Sequence, residues 1–151
     1  MSRAFVKEDA GGDEALPDRP ISPDPNYVTA EGLKRIDAEL ARLQAALTAS
    51  GKDRAARAAV ERDLRYWRAR RATAQVIPPP ADASVVRFGS TATIEREDGR
   101  RQVWRIVGED EADPKEGTLS HVSPLARLLI GRAVGDTVRI ADGEAEIIAI
   151  V

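Results

Sequence analysis

The chain has 151 residues, of which 42% are hydrophobic, 32% charged and 4% aromatic, and its formal net charge is −2. This composition predicts a small hydrophobic core, with much of the chain in solvated surface or extended helix. No apolar run approaches the roughly 20 residues that span a bilayer, and the N-terminus lacks the apolar region of a secretory signal. Cysteine is absent, which excludes disulfides and thiolate metal sites. The near-neutral charge argues against a dedicated nucleic-acid-binding protein, and we expect a cytoplasmic protein.

The first segment, residues 1–28, contains two glycines and four prolines, scattered charge and few large apolar side chains. Such a segment buries too little surface to offset the entropy lost on ordering. We therefore expect a disordered N-terminal tail over residues 1–28.

Residues 29–77 show the spacing of two helices. A stripe with intervals of three and four residues is typical of one helix face. The stripe consists of Leu33, Ile36, Leu40, Leu43 and Leu47. Thr29 is placed to cap this helix, Ser50-Gly51 to end it, and Asp53 to cap a second helix whose seam contains Leu64 and Trp67. Because the connection is short, the helices must return antiparallel, so we predict a coiled-coil hairpin.

The rest of the chain predicts a linker and a small sheet domain. Residues 78–84 begin with three prolines and are predicted to form a stiff linker. Residues 85–151 alternate apolar and polar side chains, and Asp98-Gly99 and Asp142-Gly143 predict tight turns between antiparallel strands. Ser123 followed by Pro124 predicts the start of one short helix. The predicted fold class is α+β: a helical hairpin, then antiparallel sheet with one helix.

A series of short motifs runs through the last third of the chain: Phe88-Gly89-Ser90, the acidic loop Val107–Asp113, Ser120, Ser123-Pro124, Arg127, Gly131 and Gly135-Asp136. With these motifs, the segment from Val86 onward resembles the C-terminal domain of the bacterial transcript cleavage factors of the GreA/GreB family. The opening Thr29-x-x-Gly32-Leu33 is also similar to the start of that family's N-terminal hairpin. The resemblance implies an FKBP-like fold and docking on RNA polymerase near the rim of its secondary channel.

The predicted hairpin tip departs from the family's pattern. Gre cleavage factors carry an acidic motif of the form Asp-Leu-x-Glu-Asn-Ala-Glu-Tyr there, and its two carboxylates help hold a magnesium ion at the polymerase active site. The tip of this chain consists of Ser50, Gly51, Lys52, Asp53 and Arg54, with one carboxylate between two cations. Because magnesium needs several converging oxygen ligands, we predict no metal, no cofactor and no catalytic residue here, and we interpret Asp53 as a helix cap.

The second helix carries a row of arginines, from Arg54 to Arg71. This row is compatible with contact to nucleic acid or to an acidic polymerase surface, and equally with a solvated helix face. His121 is the only histidine, and we expect it to have a structural or surface role.

The predicted polymerase-docking residues lie in the acidic loop and at the start of the short helix. A helix N-terminus presents free N–H groups, and an arginine can form bidentate pairs with carboxylates of a partner. The predicted docking residues are Asp110, Glu111, Ser123, Pro124, Leu125 and Arg127.

These features predict a non-enzymatic, monomeric regulator that binds RNA polymerase at the secondary-channel rim and modulates elongation without stimulating transcript cleavage. We expect contact with nucleic acid only indirectly, through the elongation complex, and none with membranes. Two alternatives stay open at this stage: an active Gre-type cleavage factor, and a protein that acts outside elongation like the regulator of nucleoside diphosphate kinase.

Overall fold

The computed structural model of the chain describes residues 16–141 and 143–151. These residues divide into two compact units. Residues 16–23 and 36–73 form the first, which we call the hairpin unit, and residues 24–35 and 74–151 form the second, the sheet unit. None of the helices in the described ranges combines the length and the apolar character needed to cross a membrane.

The hairpin unit is built from two helices of similar length. Helix α1 covers Ala30–Ser50, with its first turns in the sheet unit, and helix α2 covers Arg54–Thr73. Ile36, Leu43 and Leu64 are buried in the seam between them, which confirms the predicted stripe. Ion pairing joins the helices as well, because the Arg71 guanidinium lies 2.7 Å from the Asp37 carboxylate. The predicted antiparallel hairpin is therefore present.

Two details of the hairpin differ from the prediction. Arg70 belongs to the arginine row for which the sequence allows either a solvated face or contact with a partner, but it is only 2% exposed. Helix α2 ends at Thr73 rather than near residue 77. The chain then forms strand β2 (Gln75–Val76), which pairs in parallel with strand β1 (Tyr27–Val28). The Gln75 N–H donates to the Asn26 carbonyl at 2.9 Å. A two-residue strand has no periodicity of its own, so the sequence could not reveal it.

The main sheet of the sheet unit has five strands in the order β5-β4-β3-β7-β6. Its core contains Ile94, Ile106 and Ile147 from the central strands and Leu129 from helix α3, all fully buried. Strands and helix have the following bounds: β3 Thr91–Arg96, β4 Arg101–Val107, β5 Thr118–Ser120, α3 Pro124–Leu129, β6 Thr137–Ile140 and β7 Gly143–Ile150.

The predicted α+β class and the strand pairs around the tight turns are confirmed, with one correction. Strands β3, β4, β7 and β6 pair antiparallel, but β4 and β5 run parallel, so the sheet is mixed rather than purely antiparallel. The cause is the connection over residues 108–117, which brings the chain back so that Thr118 pairs with Arg105 and β5 runs in the same direction as β4. Asp142, in the second predicted turn, lies outside the described residues.

The predicted tail is ordered where the structure describes it. Residues 16–23 contact the hairpin helices, with the Arg19 guanidinium 3.3 Å from the Asp63 carboxylate, and Tyr27 and Val28 form strand β1. The prediction for residues 16–28 was therefore wrong. The prediction of disorder was based on the small number of large apolar side chains. These residues are instead held mainly by ion pairs, ring contacts and strand pairing. Residues 1–15 of the predicted tail lie outside the described range.

Candidate docking surface and hairpin tip

Two loops of the sheet unit leave the sheet side by side. Strand β4 ends at Val107 and the acidic turn follows it, while β5 ends at Ser120 and the segment before α3 follows. Val107 and Ser120 are partners in the parallel pairing of these strands. Since adjacent strands lie about 4.8 Å apart, the two loops emerge at the same edge of the sheet. The structure thus brings together the two segments that contain the predicted docking residues.

Helix α3 begins as the sequence predicts. The Ser123 hydroxyl accepts a hydrogen bond from the Ala126 N–H at 3.3 Å, and Pro124 occupies the first turn. Ser123 itself is extended, with φ −67° and ψ 153°, as a capping residue requires. Pro124 is exposed, so the start of the helix faces solvent.

The side chains of α3 divide into an inner and an outer set. Ala126 and Leu129 are buried in the core, and Leu125 is half-buried against it. Arg127 faces outward with 61% of its side chain exposed, and its guanidinium lies 3.7 Å from the Asp24 carboxylate. Leu128, next to Arg127, is exposed. An arginine with an exposed leucine beside it suits contact with a partner protein.

The acidic turn places its carboxylates in different environments. The Glu111 and Ala112 N–H groups both donate to the Gly108 carbonyl, at 3.3 and 3.2 Å, which closes the turn. Asp110 is half-buried, whereas the whole of Glu111 is only 9% exposed. The described residues contain no group of three or more carboxylates or imidazoles that could hold a metal ion. The turn therefore offers Asp110 to the surface and holds Glu111 in the interior.

Glu111 holds the capping residue of helix α1 instead of facing solvent. Its carboxylate accepts hydrogen bonds from the Thr29 N–H at 3.0 Å and from the Thr29 hydroxyl at 2.6 Å. The Gly108 N–H also donates to it, at 3.3 Å. The Thr29 hydroxyl in turn accepts from the Gly32 N–H at 2.9 Å, which confirms Thr29 as the helix cap. We call these residues, Thr29, Gly32, Gly108 and Glu111, the clasp.

The two glycines of the clasp, Gly32 and Gly108, lie too close to neighbouring atoms to carry a side chain. A Cβ atom on Gly32 would lie 2.2 Å from a carboxylate oxygen of Glu111. A Cβ atom on Gly108 would lie 2.5 Å from the Tyr27 carbonyl oxygen. Neither distance is compatible with a side chain, so the clasp explains why Thr29-x-x-Gly32 opens the helix although glycine is an unfavourable helix residue.

Aromatic rings fix the segment before the clasp. The His121 ring lies 5.2 Å from the ring of Tyr27 and 5.5 Å from that of Phe88, centroid to centroid. His121 is buried, in agreement with a structural role. The pairing of Tyr27 with rings 61 and 94 positions away in the chain was not foreseen, since nothing in the local sequence indicates it.

The hairpin tip is a capped turn. Gly51 has φ +55°, and the Asp53 N–H donates to the Ser50 carbonyl at 3.0 Å. The Asp53 carboxylate accepts from the Ala56 N–H at 3.1 Å, so Asp53 is the cap of α2 as predicted. Lys52 and Arg54 beside it are exposed. The tip thus presents one carboxylate, already bonded to the backbone, between two cations.

The nearest further acids of α2 are also engaged. Glu61 lies 3.4 Å from the Arg57 guanidinium, and Asp63 lies 3.3 Å from that of Arg19. They follow Asp53 by eight and ten residues, which is about 12 to 15 Å along a helix. These carboxylates cannot converge on one metal ion with Asp53.

Sequence comparison places the chain among known proteins. A family model described as "Transcription elongation factor, GreA/GreB, C-term" matches residues 81–151. GreA of Bradyrhizobium sp. strain BTAi1 is 52% identical over 56 residues, 36% of this chain and 35% of that protein. The chain thus matches about a third of the length of such GreA relatives. GreB of Yersinia pestis is 33% identical over 143 residues, which cover 80% of this chain and 84% of that protein.

Solved structures give more distant matches. GreA factor homolog 1 (Gfh1) of Thermus thermophilus is 24% identical, with a TM-score of 0.42, over 85% of this chain and 99% of that chain. A GreA/GreB factor of Nitrosomonas europaea is 20% identical, with a TM-score of 0.41, over 83% and 98%. The similarity to GreB extends over both the hairpin and the sheet domain, and the family model covers the latter. The chain therefore belongs to the GreA/GreB family of transcription elongation factors.

Proposed function

We propose that this chain binds RNA polymerase near the rim of the secondary channel and modulates elongation there without stimulating transcript cleavage. In this proposal it acts in the cytoplasm as a monomer and has no enzymatic activity of its own. Its docking residues are Asp110, Ser123, Pro124, Leu125 and Arg127. Family membership supports the choice of partner, and the emergence of both loops at one sheet edge supports the choice of surface.

The role of Glu111 is revised within this proposal. Its carboxylate is occupied by the Thr29 N–H and hydroxyl and by the Gly108 N–H. A partner would have to break these bonds to reach it. We therefore keep Asp110 in the docking surface and assign the Glu111 side chain to the clasp.

The proposed absence of cleavage stimulation rests on one observation: Asp53, the only carboxylate at the tip, caps α2. Delivery of a magnesium ion needs oxygen ligands in near-octahedral geometry, with protein carboxylates free to reach it. A single capping carboxylate beside Lys52 and Arg54 is a weak ligand, because the two cations compete for its charge. The hairpin would then act by occupying the channel and by excluding other factors.

The deciding experiment uses a backtracked elongation complex and the purified full chain. We expect no acceleration of transcript cleavage, together with inhibition of cleavage that is stimulated by an active GreA added in competition. The matched variant is Asp53→Asn, which keeps an N-cap side chain but removes the charge. It should behave as the wild type does. Rapid cleavage by the wild type that is lost in Asp53→Asn would contradict the proposal and favour the active-cleavage alternative.

The identity of the partner is tested separately. A tagged full chain should recover polymerase subunits from a lysate of its own source, and Arg127→Ala should recover fewer. Direct binding to purified polymerase then confirms the interaction. Recovery of nucleoside diphosphate kinase without polymerase would contradict the proposal and favour the alternative outside transcription.

A further inference from the structure

The segment 16–23 lies on the face of helix α2 within the hairpin unit. Its three prolines, Pro17, Pro20 and Pro23, recur every third residue, which is the repeat of an extended polyproline helix. Pro residues restrict the backbone before folding, so such a segment loses little entropy when it binds. We call residues 16–23 the strap.

Arg19 is the central contact of the strap. Its guanidinium carbon lies 3.8 Å from the ring centroid of Tyr66 and 5.9 Å from that of Trp67. The same guanidinium is 3.3 Å from the Asp63 carboxylate. Arg19 therefore combines a cation–π contact with an ion pair on one helix face.

The strap also contacts an arginine of α2. The Arg65 guanidinium donates to the Asp18 carboxylate and, at 3.1 Å, to the Leu16 carbonyl. A small cavity of about 110 Å³ remains between strap and helix. It is lined by Asp18, Arg19, Ile21, Arg65, Tyr66 and Ala69.

The strap covers a positively charged face of helix α2. Helix α2 contains seven arginines against two acids, Glu61 and Asp63. Its face at Arg65 and Tyr66 offers a cation beside an aromatic ring, a combination that attracts phosphate-rich single strands. In the structure this arginine is bonded to the strap and this ring is covered by Arg19.

The ion pair between the strap and Arg65 is open to solvent. Asp18 is 73% exposed and Arg65 is 40% exposed, and ion pairs between exposed side chains contribute little to stability. Local segments with few buried contacts open far more often than the whole chain unfolds.

We propose that the strap is an autoinhibitory cover that lowers the affinity of the α2 face for polyanions. When only the open form binds, the apparent affinity falls by the fraction of molecules in which the strap is open. Displacing the strap then exposes Arg65 and Tyr66. This covering role does not depend on the function proposed above, because all of its contacts lie within the hairpin unit.

The test measures binding of a short single-stranded RNA, used as a polyanion probe, to the purified full chain. The double variant Asp18→Asn/Arg19→Gln removes the strap's ion pairs and leaves the net charge unchanged. We expect it to bind the RNA about three- to tenfold more tightly than the wild type. The control Asp98→Asn/Arg100→Gln removes the ion pair of 2.7 Å between those two residues and also keeps the net charge. Equal affinities of strap variant and wild type, or an equal gain in the control, would overturn the proposal.

A second test uses an engineered disulfide to fix the strap in its closed position. The chain has no cysteine, so Ile21→Cys/Ala69→Cys introduces a single pair, at two positions that line the same cavity. The oxidised form should bind the RNA more weakly than the reduced form of the same protein. Equal binding by the oxidised and the reduced form would contradict the covering role of the strap.

Discussion

The Glu111 carboxylate bonds both the backbone N–H and the hydroxyl of Thr29, at 3.0 and 2.6 Å, although the two residues are 82 positions apart. The first N–H groups of a helix have no partner within the helix. Here Glu111, in a loop of the sheet unit, supplies a negative charge that stabilises the N-terminus of α1. The start of α1 is therefore stabilised by tertiary structure as much as by its own sequence.

Removing this carboxylate should destabilise the protein. Glu111→Ala leaves the donors on Thr29 and Gly108 without their acceptor in a buried site, and we expect a loss of about 2–4 kcal/mol in the free energy of unfolding. Glu111→Gln should lose less, because an amide oxygen still accepts. Urea unfolding followed by circular dichroism measures the effect. Glu116→Ala is the control, since Glu116 is exposed, and its effect should stay within about 0.5 kcal/mol. A similar loss in both alanine variants would refute the role of the clasp.

Gly32→Ala tests the close approach in the clasp. In an ordinary helix interior the change from glycine to alanine stabilises by up to about 1 kcal/mol. Here the new Cβ would lie 2.2 Å from a Glu111 oxygen, so we expect a destabilisation of about 1–3 kcal/mol instead.

The same substitution in the Glu111→Ala background provides its own control. Glu111→Ala removes the three atoms that would lie nearest to the new Cβ, so Gly32→Ala should become neutral or stabilising in this background. The two effects form a double-mutant cycle, which isolates the interaction between the two positions. Additive effects would mean that Gly32 is constrained by something other than Glu111.

Glu31 should titrate at unusually low pH. The hydrogen bond from the Arg105 guanidinium, at 3.3 Å, holds the pKa of the Glu31 carboxyl below its ordinary value of 4.5. A lowered pKa stabilises the folded state at pH values above 4.5, and this contribution is lost as the pH falls through the folded-state pKa. Arg105→Gln should raise the pKa of Glu31 toward 4.5 in an NMR titration of the side-chain carboxyl.

Glu39 serves as the internal control for this titration. The pKa of its carboxyl is lowered chiefly by the hydrogen bond from Arg42. Arg105→Gln should leave the pKa of Glu39 unchanged, whereas Arg42→Gln should raise it and leave that of Glu31 unchanged. If either substitution moved both pKa values equally, a general charge effect would be responsible instead of the local hydrogen bonds.

At the hairpin tip, the capping role of Asp53 predicts a graded effect. Asp53→Ala removes the acceptor of the Ala56 N–H and should lower helix stability by about 0.5–2 kcal/mol. Asp53→Asn should retain most of the stability, because asparagine is also a good cap. Thermal unfolding measured by helical circular dichroism separates them. An equally large loss for both variants would show that the charge of Asp53, and not its cap, matters.

Local signals in the sequence predicted much of the fold, and the reason is physical. The caps Thr29, Asp53 and Ser123 were found because a cap bonds to an N–H only three residues away. The Asp98-Gly99 turn was found for the same reason. Its geometry depends on two residues alone, and Gly99 indeed has φ +86°.

The clasp could not be predicted in this way, because its partners come together only in the folded chain. The sequence placed Glu111 among exposed docking residues, since a run of acids is usually solvated. One signal was available. Gly32 lies in the first turn of a predicted helix, where glycine is unfavourable, and such a glycine indicates close approach of another group. The strap was missed because its contacts are mainly charged and aromatic, and patterns of apolar residues do not report them.

Arg127 offers the sharpest test of the docking surface. Its guanidinium is 61% exposed and 3.7 Å from Asp24, so little of it is used within the protein. We expect Arg127→Ala to weaken binding to purified RNA polymerase about 5- to 30-fold, the range for truncating an interfacial arginine that contributes 1–2 kcal/mol. The matched control is Arg139→Ala, since Arg139 is exposed on strand β6, at the opposite edge of the main sheet from β5. Its binding should equal that of the wild type, and the thermal stability of both variants should be unchanged. If Arg139→Ala weakened binding as much as Arg127→Ala does, the polymerase would recognise the overall charge of the domain, and the proposed surface would be wrong.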